Sequence, residues 1–188
     1  MRIVLQFKVT PTFHIESDYF TFNVDFTDRP DNYMRCKGKL HYTYFITRDF
    51  DYRTDLNQLF LNMLIIEVMR ERAKVEIPPL VQKVATEFNI PLKRVSIKNI
   101  HSRWGSFSSI GNLNFSVWLM LIPPHLVDYV VRHELAHFYE FNHSPQFWAE
   151  VDKLYGESGK GRAMERQMKT CSRELFRRLA EERRSTTL

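Results

Sequence analysis

The sequence contains little cysteine. Among its 188 residues there are two, Cys36 and Cys171, far apart in the chain. Domains that depend on disulfide bonds carry more, so the count predicts a fold without them and a reducing, cytoplasmic compartment. The residues from Met1 to Thr10 place Gln6 and Lys8 within an apolar stretch and offer no signal-peptide cleavage region, which agrees with that compartment.

Long hydrophobic runs, internal repeats and low-complexity linkers are absent too. Because no apolar run is long enough to cross a bilayer, no membrane partner is expected. Half of the glycines fall in the segment 156–161, which lacks the spacing of a phosphate-binding loop and follows a predicted helix, so a flexible connection is predicted there. With 44% apolar and 26% charged residues, the composition is typical of a globular protein with one main core.

The net charge of +5 is compatible with an anionic partner but does not require one. Much of the excess lies in the segment 162–184, where Arg and Lys alternate with Glu. Mixed signs at helical spacing favour a solvated helix face. Association with nucleic acid through this basic C-terminal helix is the alternative.

The segment 133–137 reads His-Glu-Leu-Ala-His and combines metal-ligand spacing with a carboxylate. On an α-helix, His133 and His137 leave the same face and can converge on one cation. Glu134 points to a neighbouring angle, where it can take a proton from a metal-bound water. The motif therefore predicts zinc ligands at His133 and His137 and a catalytic base at Glu134. Its apolar flanks indicate a buried helix.

A zinc site that is open for chemistry usually has three protein ligands. His143, six residues after His137, is the predicted third ligand. Ser144 before a proline is typical of a helix start, which predicts a second helix from Pro145 to about Tyr155. His143 would then lie in the corner between two helices, with its ring free to turn back. One alternative is that His143 caps helix carbonyls at this corner and binds no metal. Another is that Glu150 is the third ligand.

The remaining pattern predicts an α+β fold in three parts. Residues 1–53 are rich in aromatic and β-branched side chains and predict an N-terminal β-rich part, a small antiparallel sheet. Residues 54–155 should form the catalytic domain, with two helices separated at Pro78-Pro79 and then a strand, a loop and a strand before the metal helix. Pro123-Pro124 should open the metal helix. Residues 156–188 should form the flexible loop and a charged C-terminal helix.

Four stretches in the second half of the chain carry a family pattern: Ser102-Arg103-Trp104-Gly105-Ser106, Pro123-Pro124, the segment 128–137 and the segment 142–148. With them the chain resembles the YgjP-like metallopeptidase family. That family is similar to SprT-like and WLM proteins, all of them zincin-like in fold. The resemblance implies a metal-binding helix with a short antiparallel sheet, zinc ligands at His133, His137 and His143, and a catalytic Glu134. The spacing leads independently to the same assignment.

The leading prediction is a metallopeptidase that acts on peptide or protein substrates through a zinc-bound water. Glu134 would accept the proton of the water and deliver it to the leaving amine. In zincin-like folds the strand before the metal helix can lie along the substrate, so the segment 112–116, with Asn114, is expected to pair with an extended peptide. Arg103 would stabilise the developing oxyanion or, equally, pair with a carboxylate. Trp104 is expected to contact the substrate; the alternative is that it is a residue of the hydrophobic core.

The same resemblance implies an alternative activity, because some family members are described as nucleoside-triphosphate pyrophosphatases that act on UTP. Lys98, Arg103 and Arg132 would then hold phosphates. That activity predicts a preference for Mg²⁺ or Mn²⁺, which a set of three histidines does not favour.

Overall fold

The computed structural model describes residues 7–184. This part of the chain forms seven strands, four α-helices and one short 3-10 helix, so the predicted α+β class is confirmed. The elements follow in this order: β1 (His14–Glu16), β2 (Thr21–Thr27), β3 (Tyr33–Lys37), β4 (His41–Thr47), α1 (Asp55–Glu87), β5 (Arg94–Lys98), β6 (Gly105–Phe107), β7 (Asn112–Ser116), the 3-10 helix (Val117–Leu121), α2 (Pro124–Ala136), α3 (Pro145–Tyr155) and α4 (Lys160–Arg184). Among the described helices, none is both long and apolar enough to cross a membrane.

Within the described residues, one compact unit comprises residues 7–68 and 174–184. Its sheet has the order β1-β2-β4-β3, and β2 and β4 are parallel. The expectation of a purely antiparallel sheet was wrong for this pair. The strands β3 and β4 form a hairpin around Gly38 (φ 64°), and the hairpin inserts β4 between β3 and β2. Because the chain reverses twice between β2 and β4, these two strands run in the same direction.

Two buried amides of α1 hold the segment that precedes β1. The Asn62 side chain accepts from the backbone N–H of Phe7 (2.8 Å) and donates to its carbonyl (2.8 Å). Gln58 does the same for Val9, at 2.9 and 2.6 Å. Since buried polar groups are costly unless they are hydrogen-bonded, these pairings explain two polar residues in an apolar surrounding.

Helix α1 continues through Pro78 and Pro79, so the predicted break there was wrong. Each proline removes one backbone hydrogen bond to the carbonyl four residues earlier. Those carbonyls belong to Lys74 and Val75, which are exposed, so water can bind them. An apolar stripe at four-residue intervals stays buried on both sides of the prolines, and its burial offsets the loss. The stripe consists of Leu61, Ile65, Met69, Ala73, Ile77, Val81 and Ala85.

The second compact unit, Met69–Arg173, contains the metal-binding motif. Its three-stranded sheet has the order β5-β7-β6, with β5 and β7 parallel and β6 and β7 antiparallel. The predicted strand, loop and strand before the metal helix are confirmed as β6, a turn with Gly111 at φ 78°, and β7. The predicted start of the metal helix at the proline pair is confirmed as well, since α2 begins at Pro124.

The helix predicted from Pro145 to about Tyr155 is confirmed as α3. Its first turn is capped by the Ser144 hydroxyl, which accepts from the backbone N–H of Phe147 (3.3 Å). The glycine-rich connection that follows α3 is tied back to it, because the Asp152 carboxylate accepts from the backbone N–H groups of residues 159 and 161 (2.6 and 2.8 Å). The division of the chain into 1–53, 54–155 and 156–188 stays a prediction.

Candidate metal centre

Three imidazoles converge where α2 turns into α3. His133 lies in the last turn of α2, His137 directly follows its last residue, and His143 precedes the cap of α3. Their potential ligand atoms all lie within 4.8 Å of one another, and the Nε2 atoms of His133 and His143 are 3.0 Å apart. Glu150, the alternative ligand, instead pairs with Lys153 (3.2 Å). The predicted set of three histidines is therefore brought together at one point.

Hydrogen bonds orient two of these rings. His133 Nδ1 lies 3.2 Å from the Tyr129 hydroxyl, and His137 Nδ1 lies 3.1 Å from the carbonyl oxygen of Glu140. Each contact engages Nδ1, so Nε2 is the ring nitrogen that can bind a metal, as in protein metal sites where the other ring nitrogen is held by a neighbour. Burial lowers the pKa of His133 to about 3, assisted by the other two histidines, and burial also lowers the pKa of His137. Neutral imidazole is the form that binds a metal, so the residues present fit a divalent cation.

Glu134 is buried beside these histidines, with 7% of its surface exposed. Burial raises the pKa of its carboxyl group to about 8, while the Arg103 guanidinium and the backbone N–H of Phe107 act in the opposite direction. A cation held by the imidazoles would act in the same direction as Arg103. The surroundings of Glu134 therefore act on its pKa in opposite directions.

Strand β6 approaches Glu134 so closely that only glycine fits at position 105. A Cβ atom at Gly105 would lie 2.7 Å from Cγ and 2.8 Å from Oε1 of Glu134. Because such distances are shorter than real Cβ contacts, any larger residue would displace the carboxylate. Gly105 thus sets the position of Glu134.

A solvent-accessible cavity of about 640 Å³ lies over the three imidazoles and Glu134. The structure places Arg103 and Trp104 on its wall, and the Trp104 indole donates to the Ser172 hydroxyl (3.1 Å). Helix α4, which the sequence did not connect with the site, contributes four further lining residues: Glu165, Met168, Lys169 and Ser172. The available signal was the four-residue spacing of Met164 and Met168 within the charged run, both of which are buried.

Strand β7 is not available for a substrate. It is the central strand of its sheet, with β5 on one side and β6 on the other, so the expected pairing of the segment 112–116 with a peptide was wrong. The Asn114 side chain donates to the Ser106 hydroxyl (3.1 Å) and lines a different groove on the outer face of the sheet. Strand order is set by long-range pairing, which the local alternation of residues does not encode.

Comparison with known proteins decides the family. A family model described as YgjP-like, metallopeptidase domain, matches residues 41–169. The chain belongs to the YgjP-like metallopeptidase family. This membership assigns a metal-dependent peptidase domain to the matched residues, which include the three histidines and Glu134.

Two solved structures are similar to part of this YgjP-like chain, and both are metallopeptidase zymogens. Jannalysin of Methanocaldococcus jannaschii is 23% identical with a TM-score of 0.44, and the match covers 50% of this chain and 94% of jannalysin. Abylysin of Pyrococcus abyssi is 21% identical with a TM-score of 0.44, covering 50% of this chain and 92% of abylysin. Among curated proteins, none matches the chain significantly.

The phosphate site expected for UTP is not assembled in this YgjP-like protein. Arg132 donates to the Leu154 carbonyl and lies 4.8 Å over the ring of Tyr155, so it links α2 to α3. Lys98 lines the groove on the outer face of the sheet, whereas Arg103 lines the cavity over the histidines. The three cations therefore do not face one common point.

We expect Tyr129→Phe to weaken metal binding in this family member by about 10–100-fold, because the hydroxyl that holds His133 Nδ1 is removed and little else changes. Competition with a chromophoric chelator measures the affinity. Tyr139→Phe is the matched control, since it removes a hydroxyl that donates to the Phe88 carbonyl outside the cavity. Equal affinity in the two variants would contradict a role for Tyr129 in orienting the ligand.

Proposed function

We propose that this protein is a zinc-dependent peptidase in which His133, His137 and His143 hold the metal and Glu134 is the general base. The observation that carries the proposal is the convergence of three imidazoles beside a buried carboxylate in one open cavity. A bound zinc ion would supply Lewis acidity, activating a water molecule and polarising the scissile carbonyl. Nitrogen ligands favour zinc over Mg²⁺ or Mn²⁺, which prefer oxygen.

Opposing influences act on the pKa of Glu134, since burial raises it and the Arg103 guanidinium lowers it. As carboxylate, Glu134 accepts the proton of the attacking water, and as carboxylic acid it delivers that proton to the leaving amine. Arg103 faces the same cavity, and its charge favours the carboxylate form of Glu134. The guanidinium is also free to approach the oxygen that gains negative charge during attack.

The edge of β6 that faces away from β7 is the proposed binding site of the peptide. Ser116 N–H donates to the Trp104 carbonyl, and Ser108 N–H donates to the Asn112 carbonyl, both at 2.9 Å. In an antiparallel pair, residues whose backbone N–H and C=O groups bond to the neighbouring strand alternate with residues whose groups point away from it. Because Trp104 and Ser108 bond to β7, the backbone groups of Gly105 point away from β7. An extended peptide on that edge would pair with β6 and pass beside Glu134.

The proposal is tested by measuring metal content and hydrolysis on the same samples. Elemental analysis should find about one zinc per chain, with three histidines as ligands. Casein-type peptides and UTP are offered in parallel, and peptide cleavage is the expected activity. His137→Ala should lose both the zinc and the cleavage. UTP cleavage without peptide cleavage, or a wild-type protein without zinc, would contradict the proposal.

His125→Ala is the matched control for the histidine variant. His125 is exposed at the start of the same helix and does not line the cavity. The control should keep both metal and activity. The cytoplasm is the proposed compartment, because among the described residues neither Cys36 nor Cys171 forms a disulfide bond.

A further inference from the structure

The outer face of the second sheet forms a groove that the proposed chemistry leaves unused. The groove has a volume of about 740 Å³, and neither a carboxylate nor an aromatic ring contributes to its lining. We call it the basic groove after its three cations, Lys93, Arg94 and Lys98. Its other polar lining residues are Ser96, Ser108, Asn112 and Asn114.

The polar character of this face follows from strand alternation. Arg94, Ser96 and Lys98 are alternate residues of β5 and therefore share one face of the sheet. On the neighbouring strand, Asn112 is the partner of Arg94 and Asn114 is the partner of Ser96. The residues of β7 between and after them are fully buried on the other face. The groove is therefore a mainly polar surface of the sheet, and the other face of β7 belongs to the apolar core.

In the part of the chain that the structure describes, the cations of the basic groove have no acidic partner. Within residues 7–184, Lys93, Arg94 and Lys98 take part in no ion pair. By contrast, three cations of α4 pair with glutamates of the same helix, namely Arg162 and Lys169 with Glu165 and Arg177 with Glu181. A concave surface with one sign of charge concentrates ligands of the opposite sign. The groove is therefore suited to an anionic ligand.

The groove lies directly behind the edge where the substrate is proposed to pair. Ser106 of β6 lines the catalytic cavity, and its hydroxyl accepts a hydrogen bond from Asn114 of the basic groove (3.1 Å). Only the width of one strand separates the two surfaces. A peptide that occupies the cavity would thus extend within reach of the groove.

We propose that the basic groove binds an acidic segment of the peptide substrate that flanks the cleaved bond. The inference rests on the proposed peptidase function, because its occupant is part of the same polypeptide. Arg94 and Lys98 are four residues apart on an extended strand, which is about 13 Å. Acidic side chains at positions i and i+4 of an extended peptide span the same distance on one face. Ser96 and Asn112, which lie between and beside the cations, offer hydrogen bonds to the peptide backbone.

An acidic peptide fits the groove better than single-stranded nucleic acid does. Proteins that bind single strands combine cations with aromatic rings on which the bases stack. The lining of the basic groove supplies the cations but no aromatic ring; its apolar members are Ile97 and Ile110. An oligonucleotide is therefore the competing occupant in the test.

The test measures binding separately from cleavage. A short fluorescein-labelled peptide with Glu at alternate positions is titrated onto Glu134→Gln protein, in which hydrolysis does not consume the probe. Adding Arg94→Gln and Lys98→Gln to this protein should weaken peptide binding about tenfold. High salt should weaken peptide binding to the Glu134→Gln protein without these two substitutions, which is the parent in this test. The same peptide with Gln in place of Glu should bind weakly to every variant. A peptide affinity unchanged by the two substitutions would overturn the proposal.

Lys74→Gln with Lys83→Gln is the matched control, because it removes the same charge from exposed positions of α1. This pair should leave peptide binding at the parent value. Arg94→Lys with Lys98→Arg keeps the charge and should keep binding. Tighter binding of a single-stranded oligonucleotide than of the acidic peptide, lost with Arg94 and Lys98, would assign the groove to nucleic acid instead.

A kinetic measurement links the groove to the proposed function. On a cleavable peptide with an acidic extension, the Arg94→Gln/Lys98→Gln protein should show a higher KM and an unchanged kcat, since the lost contacts are equal in the ground and transition states. Failure of cleavage in the wild type would refute the peptidase while leaving the binding result valid. A reduced kcat with unchanged KM would refute the groove as a binding site.

Discussion

Glu134→Gln is expected to bind zinc as the wild type does and to hydrolyse peptides about 10²–10⁴-fold more slowly. The amide has nearly the shape of the carboxylate but cannot accept a proton from water. Since Glu134 is distinct from the three histidines that surround the proposed metal, its replacement should leave the ligand set intact. Elemental analysis and single-turnover kinetics on one preparation measure the two properties.

Glu150→Gln is the matched control for this substitution. Glu150 lies on α3, pairs with Lys153 and is the glutamate that the sequence offered as an alternative ligand. This variant should keep both metal and activity. If Glu150→Gln lost the metal, or if Glu134→Gln retained wild-type hydrolysis, the assignment of Glu134 as general base would be wrong.

Gly105→Ala should lower kcat by at least about a hundredfold without loss of metal. The added methyl group would overlap Cγ and Oε1 of Glu134, at 2.7 and 2.8 Å, so the carboxylate has to move away. Misplacing a catalytic group by about 1 Å can cost that much in rate. Measuring the zinc content and the melting temperature shows whether a variant with a low kcat is still folded and still binds zinc.

A double-mutant cycle separates this effect from a general disturbance. In the Glu134→Gln background, Gly105→Ala should cause little further loss of kcat, because the group that it displaces is already inactive. Additive losses would show that Gly105 acts on some other part of the site. Melting curves of the four proteins show whether stability contributes to any difference.

The positions of the histidines were accessible from the sequence because they depend on local geometry. His133 and His137 are one helical turn apart, and the cap and proline that follow His143 fix the corner where it lies. Tyr129 is four residues before His133 on the same helix, so its contact with that ring also follows from helical spacing. The contact of Gly105 with Glu134 joins a strand to a helix, and no local pattern reports it.

Other features depended on packing that the local sequence does not specify. The wall that α4 contributes to the cavity, through Met168 and Ser172, joins residues distant in sequence from the histidines. The order of the strands placed β7 at the centre of its sheet and left β6 as the edge. The continuation of α1 past Pro78 reflects burial of an apolar stripe, which overrides the local preference of proline.

The corner between α2 and α3 has a thermodynamic consequence. His133 and His143, the first and last of the candidate ligands, are ten residues apart in the chain. A cation that joins them would close a short loop. The entropy cost of closing a loop increases with its length, by about 0.6 kcal/mol for each doubling, so a short loop costs less than a long one. Binding would therefore constrain mainly this single corner, so affinity for the ion would depend little on the conformational entropy of the remaining chain.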